Sequence, residues 1–457
     1  MAAYNASTVI WSTCNSGGMP ADGDEITVCN EHLYMDENAN PAHTFTVIVR
    51  TELDFNLAGW DIAADVTLDD LGVGVYLAAG TLTGTLESST PGVIADLGVG
   101  GAVTGGVNMD GNSCTWAGTG SLDCTTIAGT LNLGGAATGL AATVSADTTL
   151  ATDLTCLSFD HAVGTLTLTG TPVITVGAGG FNYAGAFSGT YELVFSATTS
   201  VARTPSHTYT TKITVNAGVV ATTSGTVTTV KLGGSGTLSI GANTLSLRWG
   251  ATAGALADWT GDVISTSGYV NVYLGSGVNG APGGSLSTTG PMRIYCAGAS
   301  NRSCNWIGNI SANNLFIGNG LTAALMTITH TGKLALTGDL TIGGVGVGDA
   351  GGVVLETSGI VCIAGAVGQG HANNVGNALH LGSTYVECGG AFDGDNLTVT
   401  DTSGTCHIMG LGTGTLQNVA TDNLILAHDF ATYGANTNVG QDTHAAPGSM
   451  ALCGVGY

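Results

Sequence analysis

The chain is 457 residues long, carries a net charge of −24 from 32 acidic and 8 basic residues, and contains 74 glycines but only 9% charged side chains. Its 44% hydrophobic content excludes a disordered linker, since such chains are poor in apolar residues and rich in charge; 8 prolines and no glycine at every third position exclude a collagen triple helix. No uncharged apolar run approaches the ~20 residues of a membrane-spanning helix, so no membrane insertion is expected, and the negative charge repels phosphate, so no nucleic-acid partner is expected.

The first residues, Met1-Ala2-Ala3-Tyr4-Asn5, show neither the basic nor the apolar region of a secretory leader. Only Gly17, Gly18, Gly23 and Gly59 precede residue 70. This change in glycine density predicts a distinct N-terminal cap or docking segment over residues 1–70. Trp11-Ser12-Thr13, then Gly17-Gly18-Met19-Pro20-Ala21-Asp22-Gly23-Asp24-Glu25-Ile26-Thr27-Val28, then Leu33-Tyr34-Met35-Asp36, resembles the opening of many bacterial and phage β-helical surface proteins. Cys29-Asn30-Glu31-His32 stands where that group has a glycine-containing turn. The resemblance spans about forty residues and implies a first coil here, a right-handed β-helix after it, and a homotrimer of the kind found in phage fibres and spikes.

From residue 71 to 457 the chain repeats short apolar strands closed by glycine. Examples are Leu166-Thr167-Leu168-Thr169-Gly170, Leu238-Ser239-Ile240-Gly241, Leu315-Phe316-Ile317-Gly318, Leu340-Thr341-Ile342-Gly343 and Leu379-His380-Leu381-Gly382. Their period of two marks strands with one buried face, and from residue 270 such marks fall at irregular intervals of roughly 18 to 27 residues, in the range of solenoid repeats. The predicted fold is therefore all-β, a parallel β-solenoid. Stacked strands at ~4.8 Å suit this composition, with glycine at positive-φ corners and few charges to repel their copies on the next coil. A tandem β-sandwich array is the alternative, but it would favour more hairpin dipeptides than Asp22-Gly23, Asp110-Gly111, Asn279-Gly280 and Asp393-Gly394.

Residues able to do chemistry are few. Asp22, Asp24 and Glu25, and again Asp393 and Asp395, cluster oxygen ligands around a glycine and are the candidates for Ca2+; turn-forming aspartates are the ordinary reading of the same pattern. The ten histidines show no metal-binding spacing, and no nucleophile or acid–base set is visible, so no enzymatic activity is expected. Cys14 with Cys29, Cys114 with Cys124 and Cys296 with Cys304 are the local disulfide candidates, most of the eleven cysteines being expected as buried thiols.

Charge is segregated. Residues 1–110 hold 15 acids against Arg50, whereas Arg203, Lys212, Lys231, Arg248, Arg293 and Arg302 face only Asp258 and Asp262 between residues 200 and 305. Opposite patches steer association, which makes Arg203, Arg248, Arg293 and Arg302 the interface candidates. The sequence thus points to a structural protein of a tailed-phage virion surface, a capsid decoration, head fibre or tail fibre with other virion proteins and host surface glycan as partners. An extracellular or cell-surface adhesin or filament subunit is the alternative, and a glycan depolymerase on the same scaffold the third.

Overall fold

The computed structural model describes residues 8–441, less 15–18, 30, 51–53, 89, 91–92, 98–100, 119–120, 124–125, 133–140, 145–146, 151–152, 162, 204–209, 249–257, 275–276, 279–281, 297–300, 320–324, 344–351, 371–375, 384, 405, 412–413, 420–425 and 435–439. Two compact units divide at Pro205 and Ser206. Both are parallel β-solenoids.

In the first unit one ladder runs Thr8–Ile10, His32–Tyr34, Asp54–Asn56, Gly74–Tyr76, Val93–Leu97, each strand parallel to the next. A second runs Glu25–Val28, Phe45–Val49, Ala64–Leu68, Thr85–Ser88. A third opens with the bridge between Ile62 and Leu82 and continues through Thr81–Leu82, Ala102–Val103, Ser121–Asp123 and Ala141–Val144. Parallel pairing demands a crossover between partners, and here that crossover is the rest of the coil. Alternation decides what is buried: Phe45, Val47 and Val49 point in while Thr46 and Ile48 are part-exposed.

Residue 70 marks no change of architecture. Phe45–Val49 pairs with Ala64–Leu68, which pairs with Thr85–Ser88, so the segment expected as a separate cap is itself the first turns of the solenoid. Low glycine content there reflects which corners are tight, not a different fold. Trp11, fully buried, meets Phe45 edge-on with ring centroids 5.0 Å apart. Ser12 is held to the next coil by its N–H and Oγ on the Asp36 carboxylate, at 3.0 and 2.6 Å.

The second unit has three faces per coil. The first face stacks Thr237–Gly241, Asp262–Ser265, Ser285–Thr288, Ile310–Ala312, Leu334–Leu336, Val361–Ile363, Tyr385–Cys388 and His407–Gly410. The second stacks Leu245–Arg248, Val270–Tyr273, Met292–Cys296, Leu315–Asn319, Leu340–Ile342 and Val367–Gln369. The third is a six-stranded sheet from Gly277–Val278 to Leu397–Asp401. Like residues stack inside: Leu245, Val270, Met292, Leu315, Leu340, Val367 and Phe392 occupy one register row, all buried. Each contributes about 1.5 to 3 kcal/mol on burial. The glycine-closed motifs fall on different faces, Leu238–Gly241 on the first, Leu315–Gly318 and Leu340–Gly343 on the second, Leu379–Gly382 on the third. Their uneven spacing in the sequence follows from that.

Corners are closed in two ways. Glycines stack on successive coils: a Cβ on Gly308 would lie 1.9 Å from the Gly284 carbonyl oxygen, and one on Gly332 2.3 Å from that of Gly308. Elsewhere an Asx side chain accepts an N–H from the following coil, as Asp61 does from Thr81, Asp65 from Thr85, Asn309 from Lys333, Asn314 from Asp339 and Asp339 from Ala366, all within 2.7 to 2.9 Å. These bonds satisfy backbone donors that the turn would otherwise leave unpaired.

The coils shorten toward the end of the second unit. Val361 pairs with Val386, Val386 with Ile408, Ile408 with Ala427 and Ala427 with Gln441, each step shorter than the last. The third face stops at Asp401 among the described residues. There the Asp401 carboxylate, 2% exposed, accepts from the N–H groups of Ser403, Gly404 and Cys406 and from the Ser403 hydroxyl.

Candidate functional site

The two carboxylate clusters form turns. Asp24 N–H donates to the Ala21 carbonyl at 3.1 Å with Gly23 at φ +83°, the positive φ that a type II turn needs at its third position. Asp22 Oδ1 accepts from Thr44 N–H at 2.9 Å and Asp24 Oδ2 from Ala21 N–H at 2.7 Å, while Glu25 is exposed at the start of its strand. In the other cluster, Asp393 accepts from Asp395 N–H, Asn418 Nδ2 and Gln417 Nε2 at 3.0, 2.8 and 2.7 Å. Burial pushes its carboxyl up, and those three donors outweigh burial, so it titrates below its usual value. Asp395 contributes only its N–H to these bonds, and Asn396 turns the chain at φ +56°. No group of three or more His, Cys, Asp or Glu side chains able to hold a metal occurs among the described residues. Of the calcium candidates, Asp22 and Asp393 thus join coils, whereas Asp24 closes its own turn.

Of the four interface arginines, Arg293 and Arg302 have described side chains, and the two lie on different faces. Arg302 is 7% exposed and lies inside the third face, because position 302 is in phase with the buried Cys304 and Trp306 on the same strand. Charge alone suggested a surface residue; strand parity puts it in the core. Arg293 is exposed on the second face, its guanidinium carbon 5.5 Å from the centre of the Tyr269 ring. The side chains of Arg203 and Arg248 lie outside the described residues. Lys212 and Lys231, register partners, both reach Asp258, at 3.8 and 2.7 Å. The hydrogen bond from Lys231 is the main cause that lowers the Asp258 pKa.

Cys14 and Cys29 are free thiols, as are Cys156, Cys304, Cys388 and Cys406. The candidate pairs Cys14–Cys29 and Cys296–Cys304 are therefore not formed, and the Cys114 and Cys124 side chains lie outside the described residues. Burial drives the Cys156 thiol out of the titratable range and holds Cys388 at about 11 and Cys304 and Cys406 at about 12, so these behave as small apolar groups. Cys362 is disulfide-bonded. Cys14, Cys29, Val9, Ile26, Glu31 and Leu33 help to line a cavity of about 320 Å³ at the first coil.

Two outward surfaces of the second unit carry side-chain clusters that sequence reading did not assemble. On the third face, Thr329 Oγ1 donates to Glu356 Oε2 at 2.8 Å, and His380 Nδ1 lies 3.6 Å from Glu356 Oε1, three residues on successive coils. On the second face, Tyr273 and Tyr295 are register partners with ring centroids 4.0 Å apart. Arg293 stands between Asn271 and Phe316 in the adjacent outward row. The available signal was period two: Val270-Asn271-Val272-Tyr273, Met292-Arg293-Ile294-Tyr295 and Leu315-Phe316-Ile317-Gly318 each place alternate residues outward at matching positions.

No family model, no curated protein and no solved structure matches the chain. Among the described residues no helix is long and apolar enough to cross a membrane.

Proposed function

We propose that this chain is a structural protein of a tailed-phage virion, carried on the particle surface as a capsid decoration, head fibre or tail fibre for display or host attachment. The observation that carries the reading is the first coil: the residues that resemble the opening of β-helical surface proteins are those that start the ladder here, with Trp11 buried against Phe45 and Ser12 anchored on Asp36. A solenoid built by inter-coil bonds from Asp61, Asn309, Asn314 and Asp339 suits passive display, because its polar side chains serve the scaffold. The polar row Thr329, Glu356 and His380 supplies one carboxylate where glycoside hydrolysis uses two, so the reading includes no enzymatic turnover. Its partners are further copies of the chain, as a homotrimer, and other virion proteins.

Mass spectrometry of purified particles tests the reading. The chain is expected in fixed proportion to the major capsid protein, with light scattering of the isolated protein giving three copies. Recovery from a bacterial envelope and absence from particles would replace this reading by the adhesin one. Release of oligosaccharides from host polysaccharide would replace it by the depolymerase.

A further inference from the structure

On the second face of the second unit, side chains that favour one class of ligand meet on three successive coils. Tyr273 and Tyr295 form one outward pair, 4.0 Å between centroids and tilted by 58°. On the next coil the Phe316 ring lies across Gly318, where any Cβ would come within 2.3 Å of it. A glycine there lets the ring lie flat on the sheet. Arg293, exposed, sits between Asn271 and Phe316 in register and over the ring of Tyr269, itself 44% exposed. The described outward residues Ser246, Asn271, Arg293, Phe316, Thr341 and Gly368 of one row, and Tyr273, Tyr295 and Gly318 of the other, contain no carboxylate, Asp393 following only on the coil after Gly368. This is a cationic, aromatic strip on a chain of net charge −24.

We propose that this strip binds a carboxylated polysaccharide. The apolar C–H face of a pyranose packs on flat aromatic rings, and an exposed guanidinium forks onto a carboxylate. Asn271 and Thr341 add hydrogen-bonding groups in the row of Arg293. Coils repeat at about 4.8 Å along the solenoid, so the strip sets its polar, cationic and aromatic groups in line on successive coils, which a linear polymer can follow. Charge complementarity selects an anionic chain over a neutral one. The proposal deepens the host-attachment part of the preceding reading and rests on it only for its biological setting.

The full-length protein is titrated with polygalacturonate and with polysialic acid, and with dextran as the neutral polymer, at low and at high salt. Binding to at least one acidic polymer, none to dextran, and weakening by salt are expected. Arg293→Gln and Tyr269→Ala, each with unchanged circular dichroism and melting temperature, are each expected to weaken binding about tenfold, whereas Arg50→Gln in the first unit leaves it unchanged. Absence of binding to both acidic polymers overturns the proposal, as does equal affinity for dextran or an affinity of the two strip variants equal to that of the parent protein. Loss of self-association in Arg293→Gln, without acidic-polymer binding by the parent protein, would make the strip a contact between copies and also overturns it. None of these results alters whether the chain is found in purified particles, so the two readings fail separately.

Discussion

At the residue scale, two glycines of different kinds separate geometry from space. Gly218 has φ +73° with nothing within 4 Å of a Cβ, so Gly218→Ala incurs only backbone strain, about 1 kcal/mol. Gly308 would place a Cβ 1.9 Å from the Gly284 carbonyl oxygen, and its own N–H is tied to Pro282. Gly308→Ala is therefore expected to cost on the order of 4 kcal/mol relative to the parent protein in urea unfolding, well beyond the loss in Gly218→Ala. His330 supplies the pH prediction. It is 1% exposed, its Nε2–H donates to the Gly308 carbonyl at 3.1 Å, and its Nδ1 has no hydrogen-bond partner among the described residues. Burial lowers its pKa from 6.5, and the bond to Gly308 only partly offsets this. Because the folded pKa is depressed, the unfolded chain takes up the proton first. Its contribution to stability is complete above about pH 6.5 and is lost as pH falls through the folded value. The melting temperature should fall more between about pH 7.5 and pH 5 for the parent protein than for His330→Gln; parallel curves would contradict it.

At the scale of the element, the corners matter as much as the strands. Asn314 Oδ1 accepts the Asp339 N–H at 2.7 Å, and Asp339 Oδ1 in turn accepts that of Ala366 at 2.7 Å, a relay across three coils. Removing one acceptor leaves a backbone donor to find water at an exposed turn, so Asn314→Ala should lose about 1 kcal/mol. Asn314→Asp keeps the acceptor and should stay within about 0.5 kcal/mol of the parent protein. Equal losses in chemical denaturation would show that the side chain acts by packing. These residues were visible in the sequence only as scattered Asn and Asp, because the partner of each lies a whole coil away.

At the scale of the molecule, a parallel solenoid must end without offering an open edge, since unpaired N–H and C=O groups recruit another chain. In the second unit the steps shorten from Val361–Val386 to Ala427–Gln441, and among the described residues the third face stops at Asp401, whose carboxylate gathers three N–H groups of the following turn. A chain ending at residue 404 would expose wide coils with their ladder groups unpaired. It should form large, salt-insensitive aggregates in light scattering, where the parent protein forms a defined species. A truncated chain that stays soluble at the parent size would show that the shortened coils are dispensable for capping.

The sequence by itself determined the strand character and the buried face of each strand, because period-two alternation is a local property that each segment carries alone, and the glycine-closed repeats favoured a parallel solenoid over a sandwich array. It also exposed the charge segregation, as composition must. Only the tertiary structure decided which rows are neighbours. Arg302 is buried by its phase with Cys304 and Trp306, and Asp22 and Asp393 are drawn into bonds with Thr44 and Gln417. Tyr273, Tyr295 and Phe316 meet on one strip because the register of stacked coils brings together residues some twenty positions apart, and that register is set by the lengths of the intervening corners.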